Sequence, residues 1–199
     1  MSKGEVTRQA ILEHAMGLSS LVGLGGLTIG RLADELELSK SGLFAHFRSK
    51  EALQIQVLEH AASRFVDSVI KPALSAPRGE PRVQAIFNRW LEWPKTNPLP
   101  GGCVFVQAAS ELDDRPGPVR DLLVRLQKDF LEVIANTVRT AINEGHFRED
   151  VDPEQFAQDL YGVMLSCHHA SRLLGDPKAL GRARHAFDAL RLAARIPHS

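Results

Sequence analysis

Between residues 23 and 52 the chain reads GLGGLTIGRLADELELSKSGLFAHFRSKEA, two short amphipathic helices three or four residues apart with a third beginning directly after them. So tight a connection leaves little choice of packing, because consecutive helices must cross at once and share one small core. Each start carries its own signal. Thr28 is an N-cap, with Leu27 before it and Leu32 inside at the spacing of a hydrophobic staple. Ser39 repeats this with Leu38 and Leu43, and Ser49 caps a fourth helix although Arg48 interrupts the staple there. Helices are expected over 28–36 and 39–47. Ala33 stands where the two cross, and Leu32, Leu36, Leu38, Leu43 and Phe47 are expected to form the shared core.

With those residues inside, Lys40, Ser41, Phe44, Ala45 and His46 point outward, on the face that a recognition helix offers to base edges in a major groove. Lys40 and Lys50 suit phosphates as point charges. Thr28 and the N–H groups at its helix start suit a phosphate oxygen, and Gly42 lets a backbone come close to DNA. By itself the pattern fits a DNA-reading module or an ordinary three-helix packing equally well.

Composition does not choose between them. Residues 1–50 hold six basic and five acidic side chains and the 199-residue chain is formally neutral, so no basic stripe favours non-specific nucleic-acid binding. Hydrophobic residues make up 44%, enough for a packed core and against disorder. No run approaches the roughly 18 apolar residues of a membrane span. The opening MSKGEVTRQAILEH has no signal-peptide core, and two cysteines make no disulfide framework. A cytoplasmic protein is expected.

The remainder reads as helix throughout, which predicts an all-α fold of about nine helices. A first helix over 5–22 carries Val6, Ala10, Ile11, Ala15, Leu18 and Val22 and stops at the glycines of 23–26. Helix four runs from Ser49 toward Ile70, ending before Pro72, and the Pro/Gly/Ser-rich stretch of 72–81 is the expected seam. Helix five is expected over 82–93, ended by Pro94. A loop of sequence TNPLPGG and a short helix over 103–112 follow. A long helix over 118–144 is capped by Gly145, another opens at Pro153 after Asp152 and runs to Leu174, and a last one covers 177–195.

The string LSKSGLFAHFRSKEAL, with TIGRLADEL before it, resembles the DNA-binding module of the TetR family of bacterial transcriptional regulators. Thr28, Ser39, Lys40, Leu43, Phe44, His46, Phe47, Lys50, Glu51 and Leu53 stand where that pattern asks for them. The resemblance covers about a quarter of the chain, and the rest agrees in helix count and length. It implies a DNA-binding domain over 1–50, helix four (49–71) as connector, and an effector-binding and dimerisation domain over 72–199. Two departures stand out. Glu37 occupies the middle of the turn, where the family usually has glycine, and Phe44-Ala45 leaves the outward face with few hydrogen-bonding groups.

The implied function is a homodimeric, ligand-responsive regulator, a repressor released from its double-stranded DNA operator by a small molecule. Its half-sites would lie roughly 34–36 Å apart. The implied effector pocket draws on Phe87, Trp90, Trp93, Phe105, Gln107, Phe130, Tyr161 and His168, with Ser110, Asn136 and His169 as further polar candidates. The final two helices of each subunit would pair in a four-helix bundle, rimmed by Arg182, Arg184, Arg191 and Arg195. Cys103, Cys167, His168 and His169 fit no common zinc spacing, so neither metal nor cofactor is expected. No nucleophile elbow, phosphate-binding glycine loop or HExxH is present, so no enzyme is expected either. The competing reading is a helical ligand-binding or interaction protein without sequence-specific DNA binding.

Overall fold

The computed structural model describes residues 3–96 and 99–197; the side chains of residues 3–7 and Thr96 lie outside the description, and with them the expected contribution of Val6 and part of the TNPLPGG loop. The helices are α1 (Lys3–Gly26), α2 (Ile29–Glu35), α3 (Lys40–Phe47), α4 (Lys50–Phe65), α5 (Lys71–Leu74), α6 (Glu80–Thr96), α7 (Val104–Leu112), α8 (Pro118–Asn143), α9 (Pro153–Arg172) and α10 (Ala179–Ala194). A wide π-helical turn, Val66–Ile70, joins α4 to α5, so counting that path once gives nine helices among the described residues. Those residues form no strand, only a single bridge between Phe147 and Arg195. No described helix is long and apolar enough to cross a membrane. The all-α expectation holds.

Two compact units divide the chain, and neither is continuous: residues 1–64 with 97–126, and residues 65–96 with 127–199. In the first unit, α1 packs along α7 and α2 crosses α3. Ile11, Leu12, Ala15, Met16 and Leu18 of α1 are buried, whereas Ala10, expected on that face, is exposed. Ser19 and Ser20 are fully buried there too. Their hydroxyls donate to the carbonyls of Met16 (2.8 Å) and Gly17 (2.7 Å), which removes the cost of burying them. Gly23, at φ +74°, breaks α1 where the sequence predicts its stop, and one further turn carries on to Gly26.

Two prolines expected to end helices do not. At Pro72 the backbone avoids the missing donor by widening: the Lys71 N–H reaches back to the Val66 carbonyl, five residues earlier, and the helix continues to Leu74. Pro94 lies inside α6, two residues short of its end. Gly145 caps α8 as expected, at φ +71°. Its N–H bonds Ile142 O (2.9 Å) and the His146 N–H bonds Ala141 O (2.9 Å), a Schellman pair. Asp152 caps α9 by accepting from the Glu154 and Gln155 N–H groups, with Pro153 at the first helical position.

In the second unit α10 packs on α9, and α6 packs on α5, the wide turn and α9. The arginines of α10 are not all rim. Arg191 is largely buried and donates to Glu80 Oε1 (2.6 Å) at the start of α6, while its other terminal nitrogen holds Asp188 (3.0 Å). Arg195 donates to both Glu80 oxygens at 2.8 and 2.9 Å. Burial works against the Arg191 charge, yet the bonds to Glu80 and Asp188 outweigh it and raise its pKa above the ordinary value. One carboxylate therefore ties the N-terminus of α6 to the last turn of α10 and to Arg195, the residue that follows it. Glu80→Ala leaves Arg191 with Asp188 alone and takes this carboxylate from Arg195, and is expected to lower the unfolding free energy by about 2 kcal/mol, measured by urea denaturation.

Candidate nucleic-acid interface

Thr28 holds an extended conformation and its hydroxyl oxygen accepts from the Arg31 N–H (3.1 Å), starting α2. Ser39 does the same for α3 through the Gly42 N–H (3.1 Å). Ser49 caps α4 through the Ala52 N–H (3.0 Å). A side chain at position 42 would press on Ser39 Oγ at 3.0 Å, so glycine there also keeps the cap undisturbed. Leu27, Leu32, Ala33, Leu43 and Phe47 are buried to 1% exposure or less. Leu36 is only half-buried and Leu38 is 43% exposed, which corrects their place in the expected core. The reason is the turn between the helices.

That turn closes α2 by a Schellman motif. The Glu37 N–H bonds Asp34 O (3.4 Å) and the Leu38 N–H bonds Ala33 O (3.0 Å). The motif needs a left-handed residue at Glu37, whose φ is +53°. Leu38, next along, faces solvent instead of the core. A second left-handed residue, Arg48 at φ +60°, makes the corner between α3 and α4, and nothing in the sequence pattern signals it.

Thr28, Ser39, Lys40, Ser41, Gly42, Phe44, Ala45, His46 and Lys50 are all exposed, so the face expected to read DNA is open. Phe44 stands out at 56% exposure, a large apolar ring presented to solvent. Lys40 lies 3.9 Å from Asp34, with both groups well exposed, a pair too solvated to hold the lysine in place. Lys50 is placed differently. Its ammonium donates to the Gly25 carbonyl at 2.5 Å, an orphan acceptor at the end of α1.

The residues expected around an effector fall into both units. In the second, Phe65 meets Trp93 edge-on (centroids 5.3 Å apart) and Phe130 edge-on (5.1 Å). Phe130 in turn meets Tyr161 (6.2 Å), whose hydroxyl donates to Gln127 Oε1 at 2.5 Å. Phe65 and Gln127 were not legible as members of this cluster, since each lies on a long amphipathic helix without a distinguishing neighbour. Phe87 stacks on Phe187 (4.2 Å), a core contact, and Trp90 is also buried. His168 Nε2 is buried without a hydrogen-bond partner among the described residues. Burial, then the nearby charges of Arg172 and His169, lower its pKa and keep it neutral at pH 7. Phe105 and Gln107 belong to the first unit, where Gln107 donates to Gly101 O (3.4 Å).

A groove of about 440 Å³ runs between α9 and α10, lined by Gly162, Ser166, Cys167, Ala170, Arg182 and Ala186 among others, and by none of the residues expected around the effector. Burial pushes the Cys167 thiol up, away from the reactive thiolate. No group of three or more His, Cys, Asp or Glu among the described residues is arranged to hold a metal ion.

The strain at Glu37 is measurable. Replacing it by glycine, which adopts the left-handed conformation freely, is expected to stabilise the chain by up to about 1 kcal/mol, seen as a rise in Tm.

Comparison with known proteins bears on these surfaces. Residues 11–57 match the family model described as bacterial regulatory proteins, tetR family. Residues 79–187 match the tetracyclin repressor-like, C-terminal domain. No curated protein gives a significant match. Among solved structures, the chain is similar to a TetR family transcriptional regulator from Cytophaga hutchinsonii, at 17% identity over 100% of this chain and 99% of that one (TM-score 0.86). A TetR transcriptional regulator from Chloroflexus aurantiacus is 25% identical over 99% of this chain and 100% of that one (TM-score 0.85). AibR, solved in complex with isovaleryl coenzyme A and operator DNA, is 20% identical over 95% and 98% (TM-score 0.70). With its N-terminal helix-turn-helix and its helical body both matched, the chain belongs to the TetR family of bacterial transcriptional regulators.

Proposed function

We propose that this regulator acts in the cytoplasm as a homodimeric repressor, reading its operator with α3 and letting go when a small molecule enters the helical body. The observation that carries the reading is the exposed outer face of α3, where Lys40, Ser41, Phe44, Ala45 and His46 face solvent while Leu43 and Phe47 anchor the helix from behind. Phe44 suits apolar contact with a thymine methyl, His46 a base edge, and Lys40 a phosphate. Thr28 and Ser39 spend their acceptor oxygens on caps but keep hydroxyl protons to donate. In this reading residues 1–50 address DNA, α4 and the wide turn connect, and residues from 72 onward answer the effector.

The aromatic cluster of Trp93, Phe130 and Tyr161, with the unpartnered Nε2 of His168 on α9, is the part of the body suited to an effector with an apolar or aromatic portion and one hydrogen-bonding group. Dimerisation falls to α9 and α10. Leu173, Leu174, Leu180, Leu192 and Ile196 are exposed, Ala186, Ala189 and Ala193 present small side chains, and Gly162 and Gly181 face open space. A monomer would leave this apolar face in water, and the small residues let a second pair of helices approach closely.

Two experiments test the proposal. Duplexes selected from random DNA, and the DNA flanking the gene, are titrated by gel shift at several salt concentrations. Lys40→Ala is expected to weaken binding to every duplex and to reduce the salt slope by about one. Lys50→Ala, whose ammonium is committed to Gly25, is expected to weaken binding with the slope unchanged. An unaltered slope for Lys40→Ala removes it from the phosphate contacts. Ala186→Arg, which pushes a charge into the α9–α10 groove, is expected to convert dimer to monomer in analytical ultracentrifugation, and a dimer that persists excludes this face.

A further inference from the structure

The end of α1 is held from two sides at one peptide group. Gly25 gives its N–H to Glu111 Oε2 of α7 (2.7 Å) and its carbonyl accepts from Lys50 Nζ at the start of α4 (2.5 Å). One residue earlier, the Leu24 carbonyl accepts from Gln54 Nε2 of α4 (2.6 Å). Both bonds at Gly25 are charge-assisted, hence roughly twice as strong as neutral ones. The backbone is shaped for them. Gly23 takes φ +74°, and a Cβ there would fall 1.7 Å from Glu111 Oε1, so the carboxylate lies where only glycine leaves room. The other end of α7 is seated equally closely. Gly101 donates its N–H to Ser20 Oγ (3.0 Å), and a Cβ on Gly101 would fall 1.4 Å from the Ser20 carbonyl oxygen. Helix α7 is thus fixed to the last turns of α1 at both of its ends, and α2 begins four residues after Gly25.

This contact joins the two matched segments. Gly25, Lys50 and Gln54 lie within residues 11–57, and Glu111 lies within residues 79–187. We propose that Glu111 is a positioning residue for DNA recognition: it sets the elbow from which α2 and α3 depart, and it does so from the helical body's side. The proposal rests on the DNA-binding reading above. Glu111 is far along the sequence from the recognition helix, and it reaches the module through the Gly25 peptide, whose carbonyl holds Lys50. Arg115, three residues beyond the end of α7, brings a guanidinium nitrogen to 3.9 Å from where a Cβ on Gly25 would stand, so the same peptide is crowded from that side as well.

The test uses the full chain. Hydrogen exchange is followed by mass spectrometry, and gel-shift affinity is measured on a selected duplex at several salt concentrations. Glu111→Ala is expected to speed exchange in peptides covering residues 23–36, to leave peptides from α9 and α10 unchanged, and to lower affinity about tenfold at an unchanged salt slope. Glu111→Gln, which keeps an acceptor at the same reach without the charge, is expected to fall between. Where Glu111→Ala does not fold, Glu111→Asp carries the same expectations, because its carboxylate stops one methylene short. Unchanged exchange across residues 23–36 overturns the proposal. Faster exchange with unchanged affinity reduces Glu111 to a cap and overturns it too. Wild-type chain that binds no selected duplex sinks the DNA-binding reading itself, and the proposal with it.

Discussion

A helix that stops must find partners for the last backbone groups it leaves open, and in this chain the stop at Gly23–Gly26 organises the first unit. The break at Gly23 turns the backbone away from α1 while Leu24, at 1% exposure, and Leu27, fully buried, keep the segment pinned to the core. The carbonyls of Leu24 and Gly25 accept from α4, and the Gly25 N–H donates to α7. Three helices distant in sequence thereby converge on a few peptide groups directly before the recognition module. The module itself is too small to hold its own geometry by burial. Its core amounts to Leu27, Leu32, Ala33, Leu43 and Phe47, so caps at Thr28, Ser39 and Ser49 define where each helix begins.

Much of this was readable in the residues. The three capping residues, the staple at Leu27 and Leu32, and the caps at Gly145 and Asp152 are local signals. Local signals survive because they depend on atoms a few residues apart. The outward set on α3 was equally legible, since burying Leu43 and Phe47 leaves the other faces no option. What failed was of a different kind. Leu38 looks like a core residue by its chemistry, but the Schellman closure turns it toward solvent. Pro72 and Pro94 look like terminators, and each is absorbed by the helix around it.

Contacts between distant segments left no trace in spacing. Nothing near Glu80 announces Arg191 and Arg195, and nothing near Glu111 announces Gly25. Nor does the pattern reveal that residues 99–126 pack with the first 64 residues. The aromatic residues of the body read as one concentration along the sequence, but Phe105 and Gln107 fall in one unit while Trp93, Phe130 and Tyr161 fall in the other. Amphipathic helices state which side is buried without stating against what.

The wide turn at Val66–Ile70 has a geometric effect of its own. Phe65, Val69 and Ala73 are spaced by four and are all buried, at 8%, 0% and 0% exposure. In an uninterrupted α-helix each step of four overshoots a full revolution by about 40°, so the third side chain would have drifted about 80° around the axis from the first. The looser winding of a π turn takes up less rotation per residue and cancels much of that drift. The same device that spares Pro72 a clash thus keeps a straight apolar seam facing α6, longer than a regular helix of this spacing would sustain.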